Sequence, residues 1–259
     1  MEYKIKKVSD GVYAVTKSEE GKVYSVNLNL MKCNCQGFRS WKKCKHIPMV
    51  MGYRIATEKS EPQTAAERIK IELAFQNVEK MGFGFKCVDK IYANFQDGII
   101  LDLETTGLDP KTSEVITFGY IHGDSLVIFQ RAEKETKKFY NAIKKELSRI
   151  QQPIFAYYAE FEKSFLERLF DFKGIFVDIL DPWKVKANEL GITAPKLDKL
   201  IPGPEKYMGE KVTTGVDVVQ TWQRYLKTSD LEDLMLLIRH NQIDLLQEFS
   251  ALNLTALIR

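Results

Sequence analysis

The sequence predicts an α/β protein whose main body is a mixed sheet with helices packed on it, preceded by a small β-rich module. Three observations predict it. Beyond Gln96, three β-type runs are followed by alternating helical and β segments, the order of a sheet that mixes antiparallel and parallel pairs. Before residue 60, short alternating runs lead into three cysteines and a histidine. Charge divides at the same place, because residues 1–60 carry 12 Lys/Arg against 5 Asp/Glu and the remainder 26 against 30. A basic module therefore adjoins a mildly acidic one, as suits a protein that holds a polyanion yet keeps carboxylates for metal ions, and charge alone does not separate nucleic acid from an acidic protein as that partner.

With 259 residues, 44% of them hydrophobic, the chain has enough apolar material for a core. In chain order, residues 3–8, 12–17 and 22–30 read as strands. On the third, Tyr24, Val26, Leu28 and Leu30 share a face by period-two alternation. Ser9-Asp-Gly and Glu19-Glu-Gly-Lys separate the strands as turns. Residues 1–60 form the first expected domain. Ala65 to Met81 lacks Gly and Pro and repeats Ile69, Ile71/Leu73, Phe75 and Val78 at helical spacing, so residues 61–95 are expected as a helical linker, its helix ended by Gly82-Phe-Gly-Phe. Residues 96–259 form the second domain: strands at 99–104, 114–121 and 125–130, a helix at 134–149, a strand at 153–158, a helix at 161–170, a strand at 175–180 and a helical C-terminal region. His122 falls in a hairpin turn signal. The N-terminus alternates charged and apolar residues, and no apolar run approaches the roughly 18 to 20 residues of a membrane span. A cytoplasmic protein with no membrane partner is expected.

Cys33-Asn-Cys35 and Cys44-Lys-His46 are two pairs, each with one residue between its ligands. A turn between them brings four donors around one ion, and three thiolates with an imidazole suit tetrahedral zinc. Such a closed shell leaves no open position, so the zinc is structural. Cys87 stands apart. The arrangement resembles the SWIM zinc finger, Cys-x-Cys then Cys-x-His after a short β-meander, over about residues 1–55. That resemblance implies binding of nucleic acid or of a protein. Arg39, Lys42, Lys43 and Lys45, interleaved with Phe38 and Trp41, supply cations for phosphates and rings on which bases stack. The alternative, in which Phe38 and Trp41 cover the zinc site and the module docks protein, stays open.

In Ile99-Ile-Leu-Asp102-Leu-Glu104-Thr-Thr-Gly-Leu, alternation places Asp102 and Glu104 on one face of a buried strand. Two adjacent carboxylates repel unless neutralised, which invites Mg²⁺ or Mn²⁺. This motif resembles the first motif of the DEDD 3′-to-5′ exonucleases, and the resemblance implies an RNase H-like mixed sheet flanked by helices. It also implies that Asp102 and Glu104 hold two metal ions, with Asp102 bridging, and that Thr105, Thr106 and Leu108 seat a terminal 3′ nucleotide. The family's second acid follows a strand ending in Asn. Here Ala156-Tyr-Tyr158-Ala-Glu160-Phe-Glu162 offers Glu162, with Glu160 as rival, and Tyr158 stands at the Asn position. The third motif, Tyr-x-x-x-Asp or His-x-x-x-x-Asp, corresponds to His240-Asn-Gln-Ile-Asp244, where i,i+4 spacing turns both side chains to one site. Asp178 and Asp181 read as acids of which one caps the next helix.

The expected activity is two-metal hydrolysis of phosphodiester bonds from a 3′ end, most simply of single-stranded DNA or RNA, with His240 orienting or deprotonating the water. The competing class is a catalytically inactive binding or scaffold protein on the same fold, favoured by Tyr158 and His240.

Overall fold

A computed structural model describes residues 3–9, 11–17, 21–58, 64–203 and 215–255, without the side chains of 54–58 and 93. The chain divides into two compact units, Met1–Gln63 and Thr64–Arg259.

In the first unit, strands β1 (Tyr3–Ser9), β2 (Val12–Lys17), β3 (Val23–Asn27) and β4 (Lys32–Cys33) form an antiparallel sheet in chain order. Alternation on β2 buries Tyr13 and Val15, which pack with Val26, Leu28, Ile47 and Val50. The third strand ends at Asn27 rather than running to residue 30. Asn27 Oδ1 accepts the Leu30 N–H at 3.0 Å and Met31 takes a positive φ of 48°, so the chain turns and leaves Leu30 exposed. Helices α1 (Gln36–Trp41) and α2 (His46–Glu58) follow. Of the expected turn residues, Asp10, Glu19 and Glu20 lie outside the described residues.

The second unit opens with α3 (Ala65–Glu72), started by a capping box between Thr64 and Glu67. The helix expected to continue to Met81 stops here. Ala74 adopts a positive φ of 58°, and residues 77–81 become β5 (Asn77–Met81), paired antiparallel with β6 (Gly84–Thr105) across the Gly82-Phe83 turn. Pairing with a neighbouring strand overrides a short run of helical spacing, which by itself does not separate buried strand from helix. The stretch expected as a linker thus supplies a strand to the main sheet.

β6 pairs antiparallel with β7 (Val115–Arg131). The two strands expected at 114–121 and 125–130 are one, and His122 lies inside it, with Nδ1 3.1 Å from the Gly98 carbonyl oxygen. β6 makes the excursion instead: its path from Lys90 to Ile100 faces only Ser125 to Ile121 of β7. Then come α4 (Lys137–Leu147), β8 (Ile154–Ala156), α5 (Glu160–Phe170), β9 (Phe176–Asp178), α6 (Asp181–Leu190), α7 (Leu197–Leu200), α8 (Gly215–Thr228) and α9 (Leu231–Thr255). β8 is parallel to β6 and β9 parallel to β8, so the sheet is mixed, as the element order predicts.

Both faces are covered. Ile99, Leu101 and Leu103 of β6 pack with Phe139 of α4 and Phe165 of α5. Ile100 packs on the opposite face with Trp222 of α8 and Leu237 and Leu245 of α9. Because β6 is buried on both sides, the acids that follow Ile100 on its α9 side enter a region with little water. No helix among the described residues is long and apolar enough to cross a membrane.

Candidate active site

Asp102 and Glu104 continue the Ile100 face of β6 and both meet α9. Asn241 Nδ2 donates to Asp102 Oδ2 at 2.6 Å and to the Asp102 carbonyl oxygen at 3.2 Å. Such close contact between helix and sheet needs a residue without a side chain opposite Asp102. Gly119 pairs with Asp102, and a Cβ there would lie 1.8 Å from Asn241 Oδ1. Next to it, His240 Nε2 lies 3.7 Å from Glu104 Oε1 and 3.4 Å from Asp244 Oδ2. One donor atom from each of Glu104, His240 and Asp244 lies within 4.8 Å of the others, so the i,i+4 pair on α9 and the strand acid converge.

Glu162 comes from the first turn of α5 and is 3% exposed, whereas Glu160 is open to solvent and pairs with Lys163 at 3.2 Å. Burial, then the charges of Asp102 and Asp178, push the Glu162 carboxyl well above the usual carboxylate range. The backbone that delivers it is strained, since Tyr158 has φ 67° and its N–H donates to Asp178 Oδ1 at 3.1 Å. Asp178 also accepts the Leu180 N–H and the Lys184 ammonium, each at 2.9 Å. These bonds brace the turn into α6, but its N-cap residue is Leu180 with no side-chain cap, so neither Asp178 nor Asp181 takes the capping role expected of one of them. Asp181 pairs with Lys184 on the surface.

Glu248 of α9 is the acid that sequence reading missed. It is 1% exposed, and its Oε1 accepts the Tyr157 N–H at 3.0 Å. Burial, then the charges of Asp102, Glu162 and Asp244, push its carboxyl well above the ordinary range. The signal was present: Glu248 continues the i,i+4 stripe of His240 and Asp244 one turn further. Among the described residues, Glu162 Oε2 and Glu248 Oε2 have no hydrogen-bond partner, and no Lys or Arg forms an ion pair with either side chain. An unpaired buried carboxylate costs several kcal/mol, against a total fold stability of about 5–15 kcal/mol. A proton or a cation must therefore reside there. Hard carboxylate oxygens fit a divalent ion such as Mg²⁺ or Mn²⁺.

A cleft of about 440 Å³ adjoins Glu104, lined by Thr105, Leu108, Phe161, Val216 and Val219. Leu108 stands exposed at its side. Thr106 does not line it. Its Oγ1 accepts the Glu114 N–H at 2.8 Å and holds the turn after β6.

In the first unit, Cys33, Cys35, Cys44 and His46 bring one donor each within 4.8 Å of the others. Cys33 Sγ lies 3.7 Å from His46 Nδ1, near the roughly 3.5 Å expected of a sulfur and a nitrogen sharing one tetrahedral zinc. Tyr24 stacks on the His46 imidazole at 4.3 Å and fixes its plane. Burial, together with the neighbouring thiols, pushes the Cys33 thiol up to about 12. For Cys35, burial acts in the same direction but is outweighed by the Phe38 N–H and by hydrogen bonds from Cys33 and Cys44, which hold it below the usual value. A thiol forced up by burial and then by neighbouring thiols is what a cation would relieve. Arg39 and Trp41 lie on α1 and Lys42 and Lys43 in the turn after it, all exposed, with Lys42 Nζ 5.8 Å over the Phe38 ring.

The family model described as RNase_H superfamily matches residues 99–254. A solved structure titled "apo form of the nuclease" is similar over 63% of this chain and 82% of its own, at 15% identity and a TM-score of 0.34. No curated protein matches the chain.

Proposed function

From the premise that the chain belongs to the RNase_H superfamily of nucleic-acid-cleaving domains, we propose that it is a divalent-metal-dependent exonuclease that removes nucleotides from a 3′ end, with single-stranded nucleic acid as substrate. The observation that carries this reading is the convergence of Glu104 of β6 with His240 and Asp244 of α9, next to buried Glu162 and Glu248, each of which feels the Asp102 charge and has one carboxyl oxygen without a hydrogen-bond partner among the described residues. Asp102, Glu104, Glu162 and Asp244 would hold the cations, as in the DEDD pattern that the Asp102-to-Leu108 motif resembles. A divalent ion bound there supplies positive charge against the phosphate and lowers the pKa of a water. The remaining work belongs to the chain's own groups. Asn241 fixes the Asp102 carboxylate, and His240, with Nε2 between Glu104 and Asp244, accepts the proton of the attacking water. The cleft beside Glu104, lined by Thr105, Leu108 and Val216 among others, takes the terminal nucleoside. Its apolar walls favour stacking over reading of base edges.

The first unit is proposed as a SWIM-type finger with one structural zinc on Cys33, Cys35, Cys44 and His46. Arg39, Lys42 and Lys43 would contact phosphates and Trp41 a base. Docking of a protein through the same face is the other use of such a finger.

The test is Mn²⁺-dependent shortening of a 3′-labelled single strand by the parent, Asp102→Asn and Asp244→Asn, with a circular strand as control. We expect both variants to lose at least about 100-fold in rate and the circle to survive. Equal rates in parent and variants would overturn the site; binding without hydrolysis by the parent would assign the chain to a binding role.

A further inference from the structure

α9 places more acid in the site than four-carboxylate chemistry calls for. We infer that Glu248 is a further ligand of the divalent-cation site, on the side of Asp102 and Glu162. The inference rests on the cation-binding reading proposed above and adds to it a residue outside the motifs that led to it.

Glu248 lies one helical turn beyond Asp244, so its side chain projects from the same stripe of α9. It is 1% exposed and divides its two oxygens between separate tasks. Oε1 accepts the Tyr157 N–H at 3.0 Å and thereby anchors α9 to the end of β8. Oε2, which among the described residues has no hydrogen-bond partner, is buried, and the carboxyl feels the charges of Asp102, Glu162 and Asp244 although it lies outside the tight group of Glu104, His240 and Asp244. Glu162 Oε2 is in the same condition, at 3% exposure. Four carboxyl groups that feel one another, with no Lys or Arg among the described residues paired to Glu162 or Glu248, form an arrangement that folding alone disfavours. A purely structural Glu248 would need only the Tyr157 bond, which a glutamine makes equally well through its side-chain oxygen. The second oxygen acquires a purpose once a cation sits among these acids.

The experiment is calorimetric titration of Mn²⁺ into the full chain, parent against Glu248→Gln, with the exposed Glu160→Gln as control and thermal melts of each in chelator. Gln keeps the Oε1 contact and the volume. We expect E248Q to bind Mn²⁺ at least tenfold more weakly in one step of the titration, E160Q to match the parent, and chelated E248Q to melt no lower than the parent. Parent-like Mn²⁺ affinity in a folded E248Q overturns the inference, whether or not its melting temperature drops, because Glu248 then serves the fold alone. Should E248Q fail to fold, Glu248→Asp, which withdraws the charge by one methylene, is judged by the same titration. The two readings separate cleanly. A parent that binds Mn²⁺ in a Glu248-dependent manner but cleaves nothing overturns the nuclease proposal and leaves this inference standing. A cleaving parent whose E248Q binds Mn²⁺ unchanged does the reverse.

Discussion

Tyr158 occupies the left-handed backbone region at φ 67°, where a Cβ costs about 1–2 kcal/mol and where Asn is among the few side chains tolerated. The position at which the resembled motif carries Asn is thus one whose backbone asks for it. Tyr158 offsets part of the strain through its N–H bond to Asp178 and through Lys184 Nζ, 5.7 Å from its ring, worth about 0.5–1 kcal/mol at an exposed site. Relief outweighs that loss, so Tyr158→Asn should raise the melting temperature by about 2–4 °C. A lower value, read by calorimetry, would show that the ring contacts dominate. Gly119 presents the opposite case. A methyl group there meets Asn241 Oδ1 at 1.8 Å and Leu245 Cδ1 at 2.8 Å, both on a buried helix, so Gly119→Ala should cost about 1–3 kcal/mol. Asn241 would also be pushed off Asp102, and hydrolysis should fall about 10- to 100-fold. Adding Asn241→Ala should restore stability but not rate; failure of the double variant to recover its melting temperature would refute the contact.

At the scale of the element, α9 and α5 carry the titration behaviour of the site. Glu162 and Glu248 have folded-state pKa values raised above the ordinary carboxylate value of about 4.3. Above that value the unfolded chain has released protons that the metal-free native state still holds. Stability from these groups is therefore fully present below about pH 4.3 and is lost as pH rises through the folded values. Denaturant midpoints of chelated protein should fall as pH rises above about 4.3, and the fall should shrink in the Glu162→Gln/Glu248→Gln double variant. A midpoint in chelator that rises with pH over this window, or an equal fall in the double variant, would remove the assignment. Excess Mn²⁺ should oppose the trend, because a cation displaces the protons.

At the scale of the whole molecule, the two units differ in what stabilises them. The second has cores on both faces of its sheet. The first buries a small set of side chains around four metal-type donors, and a structural zinc contributes on the order of 10 kcal/mol in such modules. A strong chelator, or Cys44→Ser, should remove about one zinc per chain and open residues 1–63 to protease while the melting transition of residues 64–259 persists. Loss of both together would contradict independent stabilisation. Replacing Arg39, Lys42 and Lys43 by Ala should reduce the slope of log affinity against log salt for a single strand by about 2. An unchanged slope would assign the finger to protein docking.

The sequence by itself determined whatever depends on local periodicity and spacing. Alternation put Asp102 and Glu104 on one strand face, i,i+4 spacing put His240 beside Asp244, and two x-spaced pairs put Cys33, Cys35, Cys44 and His46 within reach of one ion. The mixed sheet followed from element order. Only the tertiary structure decided what depends on distant neighbours. Pairing with β6 turned residues 77–81 from expected helix into strand, and the excursion of β6 straightened a predicted hairpin at His122 into β7. Helix packing through the gap at Gly119 brought Asn241 to Asp102, and burial separated Glu162 and Glu248 from surface acids such as Glu160. The reason is physical: local pattern fixes which way a side chain points along its own element, but the solvation and charge that make a carboxylate chemically useful are set by groups tens of residues away.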